Sequence, residues 1–241
     1  MEIMQNVLEF SVVFTVATLP QIISSVLSIR DREYFRRITA DQRTTTNIAR
    51  WLGVILLLMY VGENHADGLS FIGVSFDLGQ IPQVLLVSAM TTAYLSLIFV
   101  LPRWRSKKVQ EQIETRRKSV FEAGAFSTYR GFWERFGYLC SVWLGVIAED
   151  LVFRGYLVLG LGSLTGGYLP WIVLSVSLSI AAHLYQGSSV RLMLGQGFFA
   201  MIFIAVSLFT HNVITAIIPH LVYDTVWFVS GWAKDSGSEP Q

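Results

Sequence analysis

The chain has 241 residues, 53% of them hydrophobic and only 15% charged, with a mean hydropathy of +0.51. Soluble domains carry about 25% charged residues, so this composition excludes an ordinary water-soluble globule and points to one polytopic membrane domain of six to eight spans. The net charge of +1 gives nucleic acid no electrostatic footprint, and a single cysteine, Cys140, excludes a disulfide framework within the chain.

Val7 to Ile29 is long enough to cross a bilayer, with Glu9 near its start and a Pro20 that a membrane helix tolerates. It lacks a basic n-region and a cleavage site, so this span is expected to be retained, and neither end carries a lipidation pattern. Arginines from Arg30 to Arg50 follow, and Trp51 to Gly62 forms a second span that reaches full length only if it begins near Ile48. The next connection holds Glu63, Asp67 and Asp77 without Lys or Arg; within it, residues 69–74 are expected to be a half-buried interfacial segment. Ile81 to Leu101 is the third span. The basic stretch after it, Lys107 to Arg135, is expected to form an amphipathic helix on the inner surface, anchored by Phe121, Phe126, Phe132 and Trp133. The fourth span runs from Gly137 to about Leu161 and is broken by Gly160, Gly162, Gly166 and Gly167. Pro170 to Tyr185, Leu192 to Phe209 and Val213 to Trp232 complete seven spans.

The two Arg/Lys-rich loops lie two spans apart, so both can face the cytoplasm; this places the N-terminus outside, the C-terminus inside and the protein in the cell membrane. Trp51, Trp104, Trp133, Trp171 and Trp232 near span ends are expected to be interface anchors. With no repeat or domain boundary, the expected fold is all-α: one membrane-embedded domain over residues 1–241, a bundle of about seven spans plus the interfacial helix.

Three ionisable residues stand inside the fourth span, in Glu149-Asp150-Leu151-Val152-Phe153-Arg154. A charge at bilayer depth costs at least about 2.5–3.5 kcal/mol on insertion scales, so each needs a partner or a task. Asp150 and Arg154, four apart, share a helical face and are expected to pair as a structural clamp. Glu149, turned about 100° from Asp150, has no local partner in that geometry, as suits a general base. His183 near the end of the fifth span, and His220 with Asp224 four residues on in the seventh, add polar groups to the same apolar region. His65 and His211 fall in connections, where solvated histidines need no explanation.

Such a set admits three chemistries. Glu149 assisted by His183 can activate water against a peptide carbonyl, with His220 and Asp224 at the oxyanion. His183, His220 and Asp224 are alternatively candidate zinc ligands with Glu149 as base, although the His-Glu-x-x-His spacing is absent. Proton or ion transport is the third, and it would favour broken helices and internal repeats, which the sequence does not display.

The stretch from Glu149 to Leu157 resembles the Glu-Glu-x-x-x-Arg signature of the CAAX protease and bacteriocin-processing (CPBP) intramembrane proteases, which include the glutamate-dependent type II CAAX prenyl endopeptidases. His183 is similar to the His of the family's second motif, Phe-x-x-x-His, and His220 to Asp224 resembles the third, His-x-x-x-Asn/Asp. The likeness covers about residues 138–232, the motif-bearing core. Asp150 replaces the usual second Glu, and Ser179 stands where Phe is usual, altering the packing beside His183.

The resemblance implies an endopeptidase cleaving a membrane-associated or lipidated peptide or protein that enters laterally from the lipid bilayer. Glu149 and His183 would activate water, and His220 and Asp224 would flank the scissile carbonyl. An ionised Asp224 is a poor oxyanion donor, so it is expected to orient His220 or to bind a metal. The family likeness leaves zinc dependence open, and it also admits a non-catalytic bacteriocin-immunity or scaffold role.

Overall fold

The computed structural model describes residues 2–30, 40–75, 78–99, 131–184 and 190–235, and every regular element among them is helical. Helix α1 (Glu2–Val13) passes through a π turn (Phe14–Thr18) into α2 (Leu19–Arg30). Then come α3 (Ala40–Glu63), short 3₁₀ turns (Gly68–Ile72 and Leu78–Gln80) and α4 (Ile81–Phe99). Helix α5 (Phe132–Asp150) continues without interruption into a π-helical segment (Leu151–Leu161) and a last α turn, α6 (Gly162–Thr165). The bundle closes with α7 (Leu169–Ala182), α8 (Val190–Thr210) and α9 (Ile214–Asp235).

Among the described residues four helices are long and apolar enough to cross a membrane: Asn6–Leu27, Thr44–Glu63, Phe132–Thr165 and Met193–Thr210. Three shorter apolar helices, Ile81–Tyr94, Leu169–Ala182 and Ile214–Val226, bring the number to the expected seven, each at its expected place. Large apolar side chains such as Leu8, Leu56, Leu86, Met90, Leu194 and Phe209 point outward, as a bundle solvated by lipid requires.

The π segment is the axis of the bundle. All of its residues are buried, packed by α7, α8, α3 and the 3₁₀ turn at Gly68–Ile72. A π-helix is wider than an α-helix and its backbone bonds are less regular, so a stretch of this length depends on its neighbours. Ser175 on α7 supplies one such contact, donating its hydroxyl to the Phe153 carbonyl at 2.9 Å.

The segment after α3 is half-buried as expected, with Ser70 exposed and Leu69 and Val74 intermediate, but its apolar centre goes deep. Phe71 and Ile72 are fully buried against the π segment, and the chain turns away at Gly73, whose φ of +71° lies in the left-handed region. The Gly73 carbonyl then accepts the Val213 amide at 2.8 Å, and the Ser75 carbonyl accepts the Asn212 side-chain amide at 3.0 Å, tying this wedge to the turn before α9. His65 is likewise no solvated linker residue. Its Nε2 lies 3.2 Å from the Glu9 carboxylate and its ring stacks on Phe71 with centroids 3.6 Å apart. Wedge and histidine go inward together because the 3₁₀ turn packs directly onto the π segment. His211, by contrast, is exposed in its turn.

Gly155 is where wedge and axis meet: a Cβ there would collide with the backbone carbonyl oxygen of Ile72. Gly155→Ala is therefore expected to cost about 1–3 kcal/mol, read as a lower midpoint of unfolding in mixed micelles. Gly53→Ala is the control, since a Cβ at Gly53 meets nothing within 4 Å; equal midpoints for the two variants would mean the contact has no structural weight.

Three further expectations are corrected. Gly160 and Gly162 do not break the fourth helix; they admit Phe71 and Tyr168 closely, and the helix ends at Gly166, where φ is +69°. Phe132 and Trp133 begin α5 itself rather than a separate surface helix, while the rest of the expected amphipathic helix, with Phe121 and Phe126, lies outside the described residues, as does Trp104. Trp51 is a packing group as much as an anchor, half-buried over Gly145 of α5 with the Arg50 guanidinium 4.0 Å from its ring.

Candidate active site

Glu149 and Asp150 end α5, and the π segment begins directly after them. In an α-helix Glu149 would stand about 140° from Arg154, five residues on, and out of its reach. The wider π turn rotates the chain less per residue and brings Arg154 between the two carboxylates. Arg154 Nη1 donates to Glu149 Oε1 at 3.1 Å and pairs with Asp150 Oδ1 at 3.1 Å. The expected clamp with Asp150 is present, but Glu149 is not without a local partner. All three side chains are withdrawn from solvent, at 2% exposure for Arg154, 0% for Asp150 and 8% for Glu149, so the pairing is what makes two adjacent buried anions tolerable.

His183 follows the last residue of α7. Its Nδ1 lies 2.8 Å from the Ser179 carbonyl oxygen, which can only accept, so Nδ1 carries a proton. The opposite ring atom, Nε2, is 3.7 Å from Glu149 Oε2. His220 comes from α9, where its Nδ1 donates to Asp150 Oδ2 at 3.1 Å across 70 residues of sequence. Its ring lies on Phe203 of α8, centroids 4.7 Å apart and planes 22° from parallel. Asp150 thus holds Arg154 with one oxygen and His220 with the other. Asp224, one turn after His220, is half-buried and within the electrostatic field of His220, Glu149, His183 and Asp150. The hydrogen bond that orients His220 comes from Asp150 and not, as the sequence led one to expect, from Asp224.

The first and last of these residues lie three spans apart in the sequence, yet Glu149, Asp150, Arg154, His183, His220 and Asp224 gather in one place. Two further residues join the cluster: the sequence marks Ser179 only as a departure from the second motif and gives no sign of Phe203. Ser179 is buried and directs its hydroxyl at Glu149 Oε1, 3.5 Å away. Phe203 closes the far side, under the His220 ring and 5.6 Å from the Arg154 guanidinium carbon. A serine one turn before His183 and an aromatic in an apolar helix are each ordinary in sequence; only the packing gives them neighbours of consequence.

Among the described residues no group of three or more His, Cys, Asp or Glu side chains is arranged to hold a metal ion. The Nδ1 bonds of His220 to Asp150 and of His183 to a backbone carbonyl fix the orientation of both rings.

A family model described as Rce1-like, type II CAAX prenyl endopeptidase Rce1-like, matches residues 131–226. That segment contains every residue of the cluster. No curated protein and no solved structure matches the chain.

Proposed function

We propose that this integral membrane protein is an endopeptidase that cleaves by glutamate-activated water, a reading supported by the match of residues 131–226 to the Rce1-like family model. The observation that carries the reading is the facing pair of Glu149 Oε2 and His183 Nε2, 3.7 Å apart and supplied by different spans. Arg154 holds the other oxygen of Glu149, so the carboxylate is fixed with one oxygen turned to His183.

A water molecule bound by both groups gives its proton to Glu149 Oε2 as its oxygen attacks the scissile carbonyl carbon. The carbonyl π electrons move onto oxygen. His220, with Nδ1 held by Asp150, presents Nε2 on its opposite edge; in the protonated ring that atom donates to the oxyanion. Asp150 stabilises this imidazolium and keeps its ring oriented. Asp224, one turn further, completes that wall. When the tetrahedral intermediate collapses, the C–N bond breaks and the proton on Glu149 passes to the leaving amine.

The substrate is a membrane-associated or lipidated protein reaching the site laterally through the bilayer. In this reading both basic loops face the cytoplasm, with the N-terminus outside, the C-terminus inside and His183 toward the cytoplasmic end of its helix. The test is a comparison of membrane-protein termini by mass spectrometry in cells carrying wild type and Glu149→Gln. Peptide ends made by wild type should fall by about 10²- to 10⁴-fold in the variant at equal abundance, the usual contribution of a general base. Identical termini from two folded, equally abundant proteins would refute hydrolysis and favour an immunity or scaffold role.

A further inference from the structure

We propose that Ser179 is a positioning residue that selects which oxygen of Glu149 acts on water, an inference that rests on the protease reading above. Ser179 is 3% exposed and sits one turn before His183 on the same face of α7. It touches both halves of the facing pair. Its carbonyl accepts Nδ1–H of His183 at 2.8 Å, while its hydroxyl is 3.5 Å from Glu149 Oε1.

Arg154 donates to that same Oε1 at 3.1 Å, so both donors converge on one oxygen and leave Oε2 to face His183 Nε2 at 3.7 Å. Donors on a single oxygen draw negative charge toward it and resist rotation of the carboxylate about its last bond. Oε2 thereby keeps its lone pairs for water. Hydrogen bonds of an active site are commonly long before substrate binds and tighten in the working complex, which is the expectation for the Ser179 contact. Arg154 alone does not provide this, because its contact comes from the Glu149 side of the site and ties the carboxylate only to its own helix. Ser179 ties it to α7 and hence to His183.

The experiment uses the full chain in lipid nanodiscs and two readouts on Ser179→Ala. Without any substrate, the infrared carboxylate stretch that Glu149→Gln removes is assigned to Glu149, and in Ser179→Ala it should shift as one donor is lost. With a cleaved peptide, kcat should fall about fivefold to tenfold while KM stays within twofold, as for a group that acts in the transition state. Ser179→Thr, which retains the hydroxyl, should restore the band. An unshifted band in Ser179→Ala overturns the proposal, and so does a shifted band with unchanged kcat. The infrared result is independent of turnover, so its failure is distinguished from failure of the protease reading, which Glu149→Gln decides.

Discussion

Arg154→Leu is expected to remove about 3–5 kcal/mol of stability, the usual loss when one member of a buried ion pair is deleted and its partner stays behind. Here two partners stay behind. Arg154 Nη1 is 3.1 Å from both Glu149 Oε1 and Asp150 Oδ1, and none of the three residues exceeds 8% exposure. The two carboxylates are sequence neighbours, so without the cation they face each other's charge in surroundings that cannot solvate either. Leucine fills most of the volume, which separates the charge effect from a cavity effect. The measurement is equilibrium unfolding in mixed micelles at fixed detergent composition. A loss under about 1 kcal/mol would mean the carboxylates are hydrated or protonated without Arg154, and that the clamp contributes little.

The second large effect is on turnover. Asp150→Asn is expected to lower kcat by about 10²- to 10⁴-fold, in line with loss of a buried carboxylate that orients a catalytic histidine. Asp150 holds Nδ1 of His220 at 3.1 Å, and an amide in its place can present either oxygen or nitrogen to that atom without a charge to hold an imidazolium. His220→Ala should cost as much by itself. Because the two residues act as one unit, adding Asp150→Asn to His220→Ala should lower kcat by less than about threefold more. Multiplicative losses in the double variant would show that Asp150 works through Arg154 instead of through His220, and would remove the orienting role assigned to it.

Much of this arrangement can be read before any coordinates are consulted. The seven apolar runs predict seven apolar helices because a bilayer imposes a length and a polarity on whatever crosses it, and both are visible in one dimension. The Asp150–Arg154 pair is legible because four residues bring two side chains onto one face of a regular helix. The reading fails where the helix is not regular. Glu149 looks unpartnered on α-helical geometry and is paired because the chain widens at Leu151 into a π segment that no local propensity announces. Gly160 and Gly162 look like breakers for the same reason that glycine often is one, and instead serve close packing inside a helix that runs on. Residues 69–74 are short and mixed in polarity, so in isolation they belong at an interface; packing of the 3₁₀ turn on the π segment takes Phe71 and Ile72 inside.

From its residues alone the protein is determined to be a helical membrane bundle, with a small set of ionisable side chains in three of its spans whose cost in lipid demands a purpose. Residue identity and periodicity carry that much, since burial energy and helix geometry act over a turn or two. Which of those side chains meet is decided by tertiary structure. Asp150 rather than Asp224 takes His220, Ser179 reaches Glu149 across 30 residues, and His65 reaches Glu9 across 56 residues. These contacts depend on the rotation and offset of whole helices, set by the packing of many apolar side chains at once, and no spacing along the chain encodes them.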